Sequence, residues 1–360
     1  MIMPNVKIAL GAVVLVLRLT AIPAAQSQNP APSITPPSGL TIKVLDSMTR
    51  LPGGLSALPA PPIPADNLQT QGKIELGRML FFDKRLSLDR STSCASCHEP
   101  DKAYSDGLAR AVGIGHAILS RRAPSLLNGA YNSAQFWDGR AGSLEEQALG
   151  PMLSASEMGM PDPKVLLERL QGMPEYRRRF HSVFGRVINL RDIQRAIAAF
   201  ERTLVTPDAA FDRYVTGDKQ ALTDQQKRGL ILFIGKASCS QCHNGPNFTD
   251  NKFHSLGLLP GQTDDLDLGH FVVSKNPGDR HAFKTPSLRS STDQSPFMHN
   301  GAIATLSDVI DFYDQGGGPG AKSSLLFKLH LTAGEKDELL AFLRALAGRV
   351  PENSHMAGEK

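Results

Sequence analysis

A chain of 360 residues with 41% hydrophobic side chains is long and apolar enough for two domains of ordinary size. Its formal charge of +4 is scattered along the sequence, which excludes an electrostatic footprint for nucleic acid, and its 6% aromatic content includes a single tryptophan, Trp137. Lys7, the apolar run Ile8 to Leu17 and the small residues from Ala21 to Ser27 follow the order of a secretory signal peptide, assigned to residues 1–27. The run is too short, and too soon broken by Arg18, for a stable membrane span; an uncleaved anchor is the competing reading. Residues 28–66 are rich in Pro, Ser and Ala and read as a flexible leader without a core of its own.

A first domain, 67–206, opens on an amphipathic helix carrying Ile74, Leu76, Met79, Leu80 and Phe81. Helices follow over Pro163–Leu170 and Arg191–Leu204, the latter with Ile193, Ile197, Phe200 and Leu204 on one face. A break is expected at Thr206-Pro207, because the residue before proline avoids the helical region. The second domain, 207–350, begins with a helix N-capped by Thr223 and closes on one with a Thr332/Glu335 capping box, before a tail at 351–360. Strand signals are weak throughout.

All four cysteines fall in two pentapeptides, Cys94-Ala95-Ser96-Cys97-His98 and Cys239-Ser240-Gln241-Cys242-His243. Exported chains usually spend cysteines on disulfides, but this spacing reads as haem attachment. Two thiols two residues apart can add to both vinyl groups of one porphyrin, and the next histidine is then carried beneath the ring as proximal iron ligand. A four-cysteine zinc site or two redox dithiols would leave His98 and His243 unexplained. The expected cofactors are therefore two covalently bound haem c groups. The expected fold is mainly α, two cytochrome c-like haem domains with extensive loops.

Further stretches are Leu80-Phe81-Phe82-Asp83, Ala123-Pro124-Ser125-Leu126-Leu127-Asn128, Gln135-Phe136-Trp137-Asp138-Gly139-Arg140, Phe283-Lys284-Thr285-Pro286-Ser287-Leu288-Arg289 and Pro296-Phe297-Met298-His299-Asn300-Gly301. In this order, around the two pentapeptides, the chain resembles the dihaem bacterial cytochrome c peroxidases, a family that includes the MauG-type maturation enzymes. The resemblance spans nearly all of the mature chain. It implies an N-terminal haem where peroxide reacts and a C-terminal haem that stores and relays an electron. It also implies that Trp137 lies between the haems, that Gln147 and Glu157 belong to the distal peroxide pocket, and that Pro151 is the pocket proline of the maturation enzymes.

The residue types suit that chemistry. Splitting an O–O bond needs a proton moved from the inner to the outer oxygen, work for a general acid–base such as Glu157, with Gln147 positioning peroxide or water. The plainer readings are a helix-capping or salt-bridging Glu157 and a core Trp137. His116 lies near the family's loop histidine that closes the peroxidatic haem at rest, in a shifted and shortened setting; otherwise it is a solvent-exposed loop residue. Tyr313, fourteen residues beyond His299, stands where the family places the sixth ligand of the C-terminal haem, methionine in the peroxidases and tyrosine in the maturation enzymes. Met298 is the nearby substitute, and packing beside Phe312 the simpler role for Tyr313.

The family's interdomain calcium is held partly by an asparagine. Arg122 stands there in this chain, and a guanidinium cannot ligate Ca²⁺, so calcium is doubtful. The activity implied is reduction of hydrogen peroxide to water in the periplasm, with electrons from a small donor such as a cytochrome c or cupredoxin, and a homodimer is a possible assembly. The alternatives are oxidation of a partner protein's residues and non-catalytic electron transfer; a relay needs no distal pocket of the Glu157/Gln147 kind.

Overall fold

The computed structural model describes residues 39–258 and 267–351. The segment read as a signal peptide lies outside them, as does all of the tail beyond residue 351. The described residues belong to one compact unit, mainly α as expected. Twelve helices follow in order among them: α1 (Ile42–Ser47), α2 (Gln71–Phe82), α3 (Cys94–Cys97), α4 (Leu144–Leu153), α5 (Pro163–Gly172), α6 (Pro174–Phe184), α7 (Leu190–Glu201), α8 (Ala210–Val215), α9 (Asp224–Ile234), α10 (Phe271–Ser274), α11 (Leu306–Asp314) and α12 (Ala333–Arg344). Two three-residue strands, β1 (Phe253–Ser255) and β2 (Ala282–Lys284), pair antiparallel with His254 opposite Phe283. Long loops join these elements, and no helix among the described residues is long and apolar enough to cross a membrane.

Local chemistry sets the helix ends. Thr223 and Thr332 cap α9 and α12 through reciprocal boxes with Gln226 and Glu335. Asn189 caps α7, so that helix starts one residue earlier than the apolar pattern alone indicates, and Leu204 is buried in the turn beyond it.

Two helix crossings repeat one design. Gly77 of α2 lies against α7, where an added Cβ would meet the Ala196 carbonyl oxygen at 1.8 Å; Gly229 of α9 lies against α12, where it would meet that of Glu338 at 2.0 Å. Only glycine lets the helix axes come so close. Beside each crossing an aromatic pair fills the core, Phe81 with Phe200 at 5.1 Å and Phe233 with Phe342 at 5.2 Å between ring centroids.

The leader is where the structure departs from expectation. Thr41 caps α1, and Leu45 and Leu55 are buried in the core built around α9 and α12. The Asp46 carboxylate accepts from Tyr214 Oη at 2.9 Å and from Lys227 Nζ at 3.1 Å. Residues 41–55 are thus part of the C-terminal core, because two leucines and one acid in a Pro-rich stretch suffice to dock it. At the other end, Val350 packs on the N-terminal aromatic cluster.

Candidate dihaem site

Each pentapeptide presents its histidine in the same way. Ser93 and Ser96 cap the short α3 reciprocally, and Cys239–Gln241 forms a tight turn, so both peptides coil before the histidine. His98 Nδ1 lies 3.0 Å from the Tyr104 carbonyl oxygen and His243 Nδ1 lies 3.0 Å from that of Phe248. A carbonyl only accepts, so each Nδ1 carries the proton and each Nε2 keeps a bare lone pair, the arrangement of a metal-ligating imidazole. Burial lowers both histidine pKa values, which favours the neutral ring a metal requires. All four thiols are free. Among the described residues, Cys242, Asp250 and His254 are the one grouping of three or more possible ligands, so the four cysteines do not converge as a zinc site would need.

Cys97, His98, Cys239, Cys242 and His243 all line one cavity of about 670 Å³. Arg122 and Lys284 line it as well, buried cations that among the described residues have no carboxylate within salt-bridge distance; Lys284 Nζ donates to the Thr285 carbonyl oxygen at 3.4 Å. Paired thiols, imidazoles with free Nε2 atoms and uncompensated cations for propionates are what two c-type haems need, and the residues fit them.

The loops around the cavity form a second repeat. Arg122-Ala123-Pro124-Ser125-Leu126 matches Lys284-Thr285-Pro286-Ser287-Leu288, and the two are cross-strapped. The Arg122 amide donates to the His299 carbonyl oxygen at 2.9 Å, and the Lys284 amide donates to that of Trp137 at 2.8 Å. Trp137 and His299 sit in equivalent turns, with Phe136 and Met298 at φ 66° and 70° and Gly139 and Gly301 at φ 73° and 66°. Ser143 and Thr305 then cap α4 and α11, and eight residues past these caps come Pro151 and Tyr313. Both line the cavity. One side chain has no ligand atom; the other has a phenol, whose pKa is raised by burial and by the nearby Cys242 and Cys239 sulfurs.

Glu157, Gln147 and Trp137 line the cavity too. Burial raises the Glu157 pKa, with Arg140 and Ser154 opposing, and its charge bears on both Cys94 and Cys97. The Trp137 indole donates to the Arg122 carbonyl oxygen at 3.2 Å, and its ring meets His299 edge-to-face with centroids 6.5 Å apart. His299 in turn stacks on Phe283 at 3.6 Å.

Residues 71–220 match the family model described as di-haem cytochrome c peroxidase. The chain is 43% identical over 329 residues to the cytochrome-c peroxidase IdrP1 of Pseudomonas sp. (strain SCT), covering 82% of this chain and 86% of that protein. It is 44% identical over 290 residues to the methylamine utilization protein MauG of Methylorubrum extorquens, covering 79% and 81%. The chain belongs to the dihaem cytochrome c peroxidase family. Its fold matches the crystal structure of a MauG-like protein associated with microbial copper homeostasis, with a TM-score of 0.76 and 34% identity over 84% of this chain and 97% of that one.

As a dihaem peroxidase the chain is an oxidoreductase acting on peroxide, and its family carries two haem c groups. The fold brings Glu157, Gln147, Trp137, Tyr313, Cys97, His98, Cys239, Cys242 and His243 to one cavity, which Met298 lines as well, while Cys94 packs against the N-terminal core beside it. It does not bring His116. That residue is exposed and absent from the cavity wall, because Gly115 and His116, at φ 61° and 62°, turn the chain outward. Gly113 holds this loop against Ser156 and Glu157, where an added Cβ would lie 1.9 Å from the Ser156 carbonyl oxygen. Sequence reasoning passed over Lys284 and Glu201, which also face the site. Lys284 could have been found by aligning its pentapeptide segment with that of Arg122; Glu201 could not, since a glutamate ending a helix carries no signal of burial.

Proposed function

We propose that this dihaem peroxidase reduces hydrogen peroxide to water at the N-terminal site, with electrons that enter through the C-terminal site from a small donor such as a cytochrome c or cupredoxin. The observation that carries the reading is the asymmetry at one helix position: Pro151 leaves the side of the cavity shared with Glu157 and Gln147 without a ligand, while Tyr313 supplies one beside Cys239 and Cys242. Cys94 and Cys97 would hold one porphyrin and Cys239 and Cys242 the other, with His98, His243 and Tyr313 as the side chains that would ligate the irons. The N-terminal half is then 67–206 and the C-terminal half 207–350. Bound haem supplies the iron that takes up peroxide and electrons.

The protein supplies proton handling and order. Glu157, as carboxylate, accepts the proton of the inner peroxide oxygen and returns it to the outer one; burial raises its pKa above the ordinary carboxylate value, which makes it the better base. The Gln147 amide orients the peroxide by hydrogen bonding. Trp137, fixed through its indole N–H, stands on the path between the two halves. Arg122 takes over the bridging role of a calcium ion, since its Nη2 donates to the Gln294 carbonyl oxygen at 2.7 Å and to Ser105 Oγ at 3.2 Å. The signal-like N-terminus points to export into the periplasm.

Steady-state mixing of the two-haem protein with peroxide and reduced cytochrome c or cupredoxin tests the reading. Oxidation of two donor equivalents per peroxide is expected, and peroxide left unconsumed would refute it. Tyr313 also favours a second reading, oxidation of a partner protein's side chains. Indifference to small donors together with peroxide-driven oxidation of tyrosine or tryptophan in a partner would select that one.

A further inference from the structure

Glu201 has no part in this scheme, yet its setting is costly. It is the last residue of α7, only 5% exposed, and it lines the cavity. Its charge bears on Cys94, which places it at the first pentapeptide. Oε2 is buried with no hydrogen-bond partner among the described residues. The adjacent guanidinium of Arg202 is turned to Glu145: Nη2 donates to Glu145 Oε1 and Oε2 at 2.7 and 2.9 Å, and Nη1 is itself buried with no partner among the described residues. Gln69 Oε1 is a third buried atom left over. An unpaired buried carboxylate is expensive, whereas a carboxylic acid beside internal water is not. Burial accordingly pushes the Glu201 pKa up to about 8, Arg202 opposing and Glu145 reinforcing the rise.

The network continues outward from Glu145. Asn67 Nδ2 donates to Glu145 Oε1 at 2.7 Å, and Lys73 Nζ donates to Asn67 Oδ1 at 3.2 Å and to the Leu68 carbonyl oxygen, at the exposed surface, at 2.7 Å. A line of polar groups thus runs from solvent to Arg202, and the charges of Arg202 and Glu145 bear on Glu201 at the cavity wall. The helix repeat adds an independent observation. Gly77 meets Phe200 as Gly229 meets Phe342, so the residue after each phenylalanine is equivalent: Glu201 in the N-terminal half and Leu343 in the C-terminal half. The acid occurs in the half assigned to peroxide, and a leucine in the half assigned to electron relay.

We propose that Glu201 is the proton-relay residue of the N-terminal site, taking protons from internal water that enters beside the Lys73–Asn67–Glu145–Arg202 network and passing them into the cavity. The inference rests on the peroxidase reading above. Each peroxide takes up two protons and two electrons and leaves as two waters, the electrons coming from the donor protein. Glu157 only moves a proton already on the peroxide, so both net protons come from solvent. At each transfer the Glu201 O–H bond breaks toward cavity water, and the carboxylate left behind is reprotonated through internal water from the network.

Glu201→Gln and Glu201→Leu test this in protein shown by mass to carry two haems. Turnover should fall by ~10²-fold with the KM for peroxide unchanged, and the loss should deepen as pH rises. Two readouts stand apart from activity. Redox-difference infrared spectra of the wild type should contain a protonated-carboxyl band that both variants lack, and the N-terminal haem potential should depend on pH in the wild type but not in either variant. Wild-type turnover, band and slope retained in the variants would overturn the proposal. Failure of the wild type itself to consume peroxide would instead refute the peroxidase reading, while the band and the slope would still report on Glu201 alone.

Discussion

Glu201→Gln changes one atom and removes one ionisation, and the structure fixes the sign of its effect on stability. In the unfolded chain the carboxyl titrates near 4.5, and in the fold at about 8. Between those values the unfolded chain has lost a proton that the fold retains, so stability falls as pH rises through that window. The penalty is absent below about 4.5 and complete above about 8. The interval, 8 − 4.5, is about 3.5 units, or ~5 kcal/mol at ~1.4 kcal/mol per unit. A ferric centre nearby would stabilise the anion, so ~5 kcal/mol is an upper bound for the two-haem protein. Glutamine has no proton to lose and escapes the penalty. Urea unfolding followed by far-ultraviolet circular dichroism, at a pH below 5 and again above 8, gives the difference between wild type and variant at each pH. The variant should gain several kcal/mol on the wild type between the two conditions. Parallel curves would refute the reasoning, because they would mean that Glu201 is already ionised and paired in the fold.

Glu157→Gln keeps the shape and removes the exchangeable carboxylate, so kcat/KM for peroxide should drop by ~10²-fold or more with both haems present; a loss of only a few-fold would exclude the acid–base assignment. Tyr313→Phe should alter the ferric spectrum of the C-terminal haem, and Tyr313→Met should raise its potential in a redox titration; unchanged spectra and potentials would make Tyr313 a packing residue. Leu45→Ala should lower stability by about 2–5 kcal/mol, the usual cost of emptying a buried leucine site, and a loss near zero in denaturant unfolding would detach the leader from the core. The thermal midpoint should be insensitive to a calcium chelator in the wild type but respond to added calcium in Arg122→Asn, where an amide oxygen replaces the guanidinium; a chelator-sensitive wild type would restore calcium to the site.

What the sequence disclosed was whatever rests on local, short-range rules. The pentapeptides, the caps at Thr223 and Thr332 and the apolar face of α7 all depend on spacings of a few residues, and all can be seen without coordinates. The docking of residues 41–55 was hidden, because two leucines in a Pro-rich stretch look like a linker until a core with matching gaps exists. The position of His116 turned on the signs of two φ angles, which composition does not reveal. The isolation of Glu201 depends on Arg202 choosing Glu145 over its chain neighbour, a long-range choice between two acids that only the fold makes.

The two halves share one plan: a glycine crossing, an aromatic pair, a pentapeptide, a cross-strapped proline loop and a capped helix. Where they match, they explain the scaffold; where they differ, they assign the work. Pro151 against Tyr313 sets an imino-acid ring against a phenol on the cavity wall, and Glu201 on that wall stands where the other half has Leu343, buried in the core around α9 and α12. Trp137 against His299 puts the sole indole in the half that holds Glu157, in edge-to-face contact with the turn of the other half. All three differences fit the function proposed above. A relay haem needs a closed sixth position and no protons, and the C-terminal half has Tyr313 and Leu343. A peroxide site needs an open position and a proton supply, and the N-terminal half has Pro151, Glu157 and Glu201. Under the function proposed above, that pairing corresponds to electron flow from the C-terminal half to the N-terminal half.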